Sequence, residues 1–291
     1  MDLFELKKLY KEGVNIIDFL VNKGLSKSEA ISISYDLQAG SYTKIVDANA
    51  DYMYRYTDVI AQIINQLPSS YLSIMEAGVG EATTLANVYD KLSPNNKVFP
   101  LGFDISLSRI LYAQKYFARN GRCKAKLFVG DLFNIPLEND SVDIVYTSHS
   151  IEPNGEMEVE ALSELFRVTR KYLIVLEPSY EHASKEGKLR MDKLGYVKNL
   201  HETAKKLGMN VIEYKLKKVY SNTLNPTAVL IIEKNKQDFS TDQINFICPY
   251  NKSKLLLTNN IYWSSESLNI HPVVSNIPLL TREHGIVATH F

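Results

Sequence analysis

Cysteine is almost absent: Cys123 and Cys248 are the only two in 291 residues. Two thiols exclude both a disulfide framework and a four-cysteine zinc site. Neither sign of charge is in excess, with 33 Lys and Arg against 33 Asp and Glu. That balance removes the usual electrostatic case for nucleic acid or an anionic membrane as the main partner. Long apolar runs are also missing, and none approaches the roughly 18 residues that a membrane span needs. The opening MDLFELKKLYKEG mixes charged and apolar residues from its second position and offers no signal-peptide core. The expectation is a cytoplasmic protein. What is present is ordinary for a well-cored chain: 45% hydrophobic and 23% charged residues. The length suits one large α/β domain with additions, or two domains.

Three stretches differ in rhythm. Residues 1–68 carry helical spacings and little strand signal. Ser26 with Glu29 forms a capping-box signature, Gly40 ends that helix, and a longer helix over Ala50–Leu67 stops at Pro68. This is an all-helical N-terminal cap or lid. Residues 69–236 alternate helices with short apolar runs: YLSIMEA (71–77), KVFPLGF (97–103), KLFVGD (126–131), VDIVYT (142–147) and YLIVLE (172–177). Runs of that length read as strands buried on both faces, and the alternation implies right-handed βαβ units. Two further strand-like runs, 210–220 and 227–234, flank Asn222, Asn225 and Pro226 as a hairpin. The fold class is therefore α/β: a doubly wound, mostly parallel seven-stranded sheet with its last strand antiparallel. Residues 237–291 contain short strand-like pieces between Pro and Asn turns and read as a small β-rich appendage.

The most informative segment is SIMEAGVGEATTL (73–85), where a buried strand passes into a helix through Glu76, Gly78 and Gly80. Two glycines at this spacing let the backbone turn sharply and approach a ligand more closely than a Cβ permits. Gly-x-Gly alone is weak, because plain strand–helix turns also use it. Two acids strengthen it. Asp104 ends the next strand, 24 residues after Gly80, where a carboxylate can accept both hydroxyls of a ribose. Asp131 ends the third, within Gly130-Asp131-Leu132, where it can accept from an adenine amino group. A dinucleotide fold is disfavoured: Thr83 stands where a third glycine or alanine is needed, and Glu76 would repel a pyrophosphate.

In these motifs, segment 71–234 resembles the class I S-adenosylmethionine-dependent methyltransferases. The resemblance implies S-adenosyl-L-methionine as cofactor, with Glu76, Gly78 and Gly80 along its methionine part. It implies Asp104 on the ribose diol, Ile105 packed on the adenine, and Asp131 with Leu132 at the adenine edge. Ser148 and Tyr42 complete the expected cofactor-binding set, Tyr42 together with Tyr35 and Gln38 as part of the lid. The family's usual third glycine is Ala82 here.

The transferred methyl should lie beside the loops that follow the fourth and fifth strands, 147–155 and 177–182. The wording SHSIEPNG looks like a subgroup of these enzymes acting on small molecules, including sugars of surface polysaccharides and secondary metabolites. A hydroxyl acceptor needs its proton removed, and His149 has the near-neutral pKa for that base. A histidine that only hydrogen-bonds the cofactor or a loop carbonyl is the other reading. Glu152 and Tyr180 are further catalytic candidates, with Glu177 and His182 behind them. The expected partner is a small-molecule acceptor, with no membrane and no nucleic acid, and self-association is left open. An RNA or protein target, or a non-catalytic cofactor-binding subunit, is the alternative. The tail, from Phe246-Ile247-Cys248-Pro249 to Ile277-Pro278-Leu279-Leu280, resembles a zinc-ribbon-like methyltransferase-partner domain. It retains one cysteine, so no metal is expected.

Overall fold

The computed structural model describes residues 2–68, 71–93, 98–217, 219, 222–234 and 244–291. Both expected domain boundaries, at 68/69 and 236/237, touch positions outside these residues.

Five helices come first: α1 (Leu3–Lys11), α2 (Ile16–Asn22), α3 (Lys27–Gln38), α4 (Ser41–Ala48) and α5 (Ala50–Asn65). The capping box at α3 forms as its sequence requires. The Glu29 N–H donates to Ser26 Oγ at 3.3 Å, and the Ser26 N–H donates to Glu29 Oε2 at 3.0 Å. Leu6, Ile16, Leu20 and Ala30 make a small core of their own. Burying one leucine of this kind contributes about 1.5–3 kcal/mol. The expected long helix is α5, whose Tyr56, Ile60 and Ile64 face the sheet. Helix α4, between Gly40 and α5, was not apparent in the sequence.

The central sheet contains β1 (Ser73–Ala77), β2 (Phe99–Asp104), β3 (Lys126–Val129), β4 (Val142–Ser148), β5 (Thr169–Pro178), β6 (Asn210–Leu216) and β7 (Thr227–Glu233). Their spatial order is β3-β2-β1-β4-β5-β7-β6. Pairings among β1 to β5 are parallel, while β7 runs antiparallel to both β5 and β6. The chain therefore ends its sheet on an antiparallel strand, as the hairpin signal required. Strand β6 stops at Leu216; residues 218 and 220 of the expected 210–220 run are outside the described residues.

Helices α6 (Thr83–Tyr89), α7 (Leu107–Phe117), α8 (Glu158–Val168), α9 (Lys185–Leu194) and α10 (Leu200–Lys206) complete this region. Alternate strand residues feed two cores. Ile74, Ile144, Tyr146 and Ile174 pack with α5, α6 and α7 on one face. Met75, Val145, Leu173 and Val175 pack with α8 and α10 on the other. The period of two along each strand divides them. Helix α9 left little trace in the sequence because it buries only Gly187 and Met191.

The tail adds β8 (Leu256–Thr258), β9 (Ile261–Ser264), β10 (Asn269–Val274), β11 (Ile277–Pro278) and β12 (Ile286–Val287) in a small antiparallel sheet. Its packing is continuous with the large domain. Phe246, Cys248, Leu255 and Leu280 enter the second core, with the Phe246 ring edge-on to Phe128 at 5.0 Å. The Leu280 N–H donates to the Val129 carbonyl at 2.9 Å, beside a parallel bridge between Leu279 and Val129. Segment 246–248, expected as a strand, instead makes isolated bridges to Leu137 and Lys254. Among the described residues, no helix is long and apolar enough to cross a membrane.

Candidate active site

Sheet order reverses between β1 and its neighbours β2 and β4, and the carboxyl ends of these strands open onto one cavity of about 180 Å³. A doubly wound sheet places its ligands at such a point. Gly78 (φ +70°) and Gly80 (φ +53°) make the turn after β1. A Cβ on Gly78 would stand 2.3 Å from Ser150 Cβ, so only glycine fits. Ala82, at the third glycine position, is held at φ +56°, a left-handed conformation that costs an alanine about 1–2 kcal/mol.

Asp104 ties the loops after β1 and β2 together. Its Oδ2 accepts from the Gly80 N–H at 3.0 Å and its Oδ1 from the Ser106 N–H at 2.9 Å. Burial raises its pKa, opposed by Arg109 and by these amides. Asp131 Oδ1 accepts from the Phe133 N–H at 2.9 Å, and burial raises its pKa as well. Glu76, 2% exposed, accepts from the Tyr146 hydroxyl at 2.9 Å. Burial pushes its carboxyl up to about 8, against the hydrogen bond from Tyr146.

At the β4 end the groups are densely paired. Tyr56 Oη lies 2.7 Å from Ser148 Oγ. His149 Nδ1 is 2.8 Å from Glu152 Oε2, and Nε2 is 2.9 Å from Thr227 Oγ1. Below this loop, the Glu177 carboxylate accepts from the N–H groups of Ser150, Ile151 and Glu152 at 3.0, 3.3 and 3.2 Å. Burial lifts Glu177 to about 7. Lys217 reaches the back of the same region, with Nζ 3.2 Å from the Tyr56 carbonyl, and burial lowers it to about 6.

The cap is fastened at the cavity rim. Glu81, within the glycine loop, accepts from the N–H groups of Gly40 (2.9 Å), Tyr42 (3.2 Å) and Thr43 (2.8 Å) at the start of α4. Asp36 accepts from the hydroxyls of Ser106 and Ser108, both at 2.8 Å, after β2. Tyr35 and Tyr42 thereby reach the cavity wall.

All nine residues expected at the cofactor line this one cavity: Tyr42, Glu76, Gly78, Gly80, Asp104, Ile105, Asp131, Leu132 and Ser148. His149 and Glu152 line it too. Tyr180 does not. Its hydroxyl donates to Asp192 Oδ2 at 3.2 Å, and its ring lies beneath Lys198 Nζ at 4.6 Å, outside the cavity. His182 also lies outside, 2.8 Å from Ser179 Oγ. Sequence reasoning missed Glu81 and Arg109, the latter lining the cavity with its guanidinium 3.9 Å from Asp104 Oδ2. An arginine in the first turn of an amphipathic helix carries no local signal of that role. In the tail, Cys248 Sγ and His271 Nε2 stand 4.0 Å apart, and no metal-binding group of three or more His, Cys, Asp or Glu occurs among the described residues.

This geometry defines a doubly wound α/β domain with a ligand cavity at its switch point. Residues 74–172 match a family model described as a methyltransferase domain. No curated protein sequence matches the chain. Among solved structures it is similar to the [4+2]-cyclase SpnF, with 15% identity over 62% of this chain and 80% of that one, at a TM-score of 0.50. It is similar to a chain in the Haloferax volcanii complex of the Trm112 methyltransferase activator with a methyltransferase, with 14% identity over 68% and 96% and a TM-score of 0.50. Magnesium protoporphyrin IX methyltransferase from Synechocystis, solved with S-adenosylhomocysteine, matches at 13% identity over 63% and 84%, TM-score 0.49.

Proposed function

We propose that this enzyme methylates a hydroxyl or amine of a small metabolite, with sugars of polysaccharide or secondary-metabolite assembly as the foremost acceptor class. The carrying observation is that the β4 end of the cavity lies under the helical cap, walled by Tyr35, Ser148, His149 and Glu152. A covered site of this size suits a small acceptor better than a polymer. Glu76, Gly78 and Gly80 then follow the methionine part of the cofactor, and Asp104 takes the ribose diol. Ile105, Asp131 and Leu132 hold the adenine, with Ser148 and Tyr42 completing the wall. Bound S-adenosylmethionine supplies an electrophilic methyl on a sulfonium leaving group.

The protein's share is orientation and proton management. An ionised Glu152 selects the His149 tautomer with its proton on Nδ1. Nε2 is then the basic nitrogen, released to the acceptor when Thr227 gives way. As the acceptor's lone pair forms the bond to carbon, its proton passes to Nε2, and Glu152 stabilises the resulting imidazolium. Glu177 holds the loop that carries both groups.

The test uses methyl-labelled S-adenosylmethionine with the low-molecular-weight and macromolecular fractions of a cell extract. Label is expected in the small-molecule fraction. Label in RNA or protein overturns the acceptor class, and absence of transfer to either fraction, with cofactor bound, overturns catalysis.

A further inference from the structure

The charged lining of the cavity is one-sided. Glu76, Glu81, Asp104, Asp131 and Glu152 are acids, and Arg109 is the one lysine or arginine among the described lining residues. Arg109 enters from the first turn of α7 and is 7% exposed. Its guanidinium lies between the rings of Tyr35 and Tyr42, 4.7 Å from each centroid. The approach to Asp104, at 3.9 Å, is too long for a bidentate fork, and Nε is buried with no hydrogen-bond partner among the described residues. A Cβ placed on Gly80 would be 3.8 Å from this guanidinium, so the cation sits against the glycine loop. A desolvated guanidinium with an unspent Nε–H donor is costly unless a ligand takes it.

We propose that Arg109, clasped by Tyr35 and Tyr42, binds the carboxylate of the methionine moiety of the cofactor. This rests on the cofactor placement given above. S-adenosylmethionine carries a sulfonium, an ammonium and one carboxylate. The two cations suit an acid-lined wall, whereas the carboxylate is repelled by the ionised acids there and met by the Arg109 guanidinium. Recognition of a carboxylate by a planar guanidinium is the pairing that arginine geometry favours. The two rings hold the fork in place before the ligand arrives, which reduces the ordering cost of binding. Because both rings belong to the cap, the amino-acid end of the cofactor is read by a sheet-domain residue that the cap holds in position.

Calorimetry with S-adenosylhomocysteine and 5′-methylthioadenosine tests this, since the second ligand keeps the nucleoside and thioether but lacks the amino acid. Arg109→Met should weaken S-adenosylhomocysteine by about 10- to 100-fold and methylthioadenosine by less than about threefold. Arg109→Lys, which keeps charge but loses the fork, should fall between. A measurement on the wild-type protein stands even if the variants fail to fold: decarboxylated S-adenosylhomocysteine should bind about 10- to 100-fold more weakly than the parent. Equal weakening of both ligands by Arg109→Met overturns the assignment, as does equal wild-type affinity for the parent and decarboxylated compounds. Either result leaves the cofactor site standing. Failure of the wild-type protein to bind S-adenosylhomocysteine or methylthioadenosine overturns the cofactor placement instead.

Discussion

His149 and Glu152 form a closed pair across a single turn, Nδ1 to Oε2 at 2.8 Å, with the histidine backbone at φ +57°. A non-glycine residue in that conformation is held there by its surroundings, and such strain gathers at functional sites. Burial alone would lower the imidazole pKa. The Glu152 hydrogen bond and charge, with Glu177 further off, more than offset this, so the pKa is raised above 6.5.

The first prediction concerns this pair. Glu152→Gln should lower the His149 pKa, read by NMR titration of the imidazole. A group whose folded pKa is raised contributes stability below its unfolded value, lost as pH rises through the folded one. The stability difference between wild type and Glu152→Gln should therefore be largest below pH 6.5 and shrink above it. With the acceptor in hand, His149→Ala should slow turnover by about 10²–10⁴ and leave S-adenosylhomocysteine binding intact. A wild-type rate that rises with pH through the raised His149 value accompanies this, because the base acts when neutral. Cofactor affinity falling in step with rate would move His149 into the binding shell.

Glu76 supplies a proton-linked prediction. Its carboxyl is pushed to about 8 by burial, so at pH 7 the empty site holds it mostly protonated. Cationic groups of the cofactor favour the carboxylate. Binding at pH 7 should thus release close to one proton, measured by calorimetry in buffers of different ionisation enthalpy. Affinity should rise about tenfold per pH unit below neutrality. Glu76→Gln should abolish the release. Proton uptake by the wild type would remove Glu76 from the cofactor's cations.

Asp104→Ala should weaken S-adenosylmethionine and S-adenosylhomocysteine by at least about tenfold, since two charge-assisted hydrogen bonds to a ribose contribute roughly 1.5–3 kcal/mol each. The same variant leaves the Gly80 and Ser106 N–H groups without their acceptor. Wild-type affinity in calorimetry would take the ribose away from Asp104.

The tail should behave as core. Phe246, wedged between Phe128 and Tyr262 at 5.0 and 5.2 Å, is 2% exposed. Phe246→Ala should cost about 3–5 kcal/mol in denaturant unfolding. A change under about 1 kcal/mol would mean the tail unfolds independently of the sheet domain.

The sheet was legible because its strands are buried on both faces: SIMEA and VDIVYT announce themselves by apolar composition alone. The cavity lining at the ends of β1 to β3 was legible because its residues stand at fixed offsets from those strand ends, which places Asp104 and Asp131 before any coordinates exist. Contacts distant in sequence were not. Glu81 reads as an ordinary loop acid, yet it holds amides some forty residues away. Arg109 reads as a solvated helix residue, and only the meeting of α3, α4 and α7 buries it. Tyr180 failed for the same reason in reverse: it stands at the right offset after β5, but Asp192 and Lys198 draw it outward.

The Leu280–Val129 hydrogen bond and the neighbouring Leu279 bridge lie along the outer rim of β3, the terminal strand of the seven. A terminal strand offers a row of unpaired amides and carbonyls to any chain that can align with it. Here Leu279 and Leu280 cover that rim at Val129. Loss of residues beyond 276 would uncover the template, so that such a truncation should yield edge-to-edge association, or exchange of tails between copies, before it yields a merely slower enzyme.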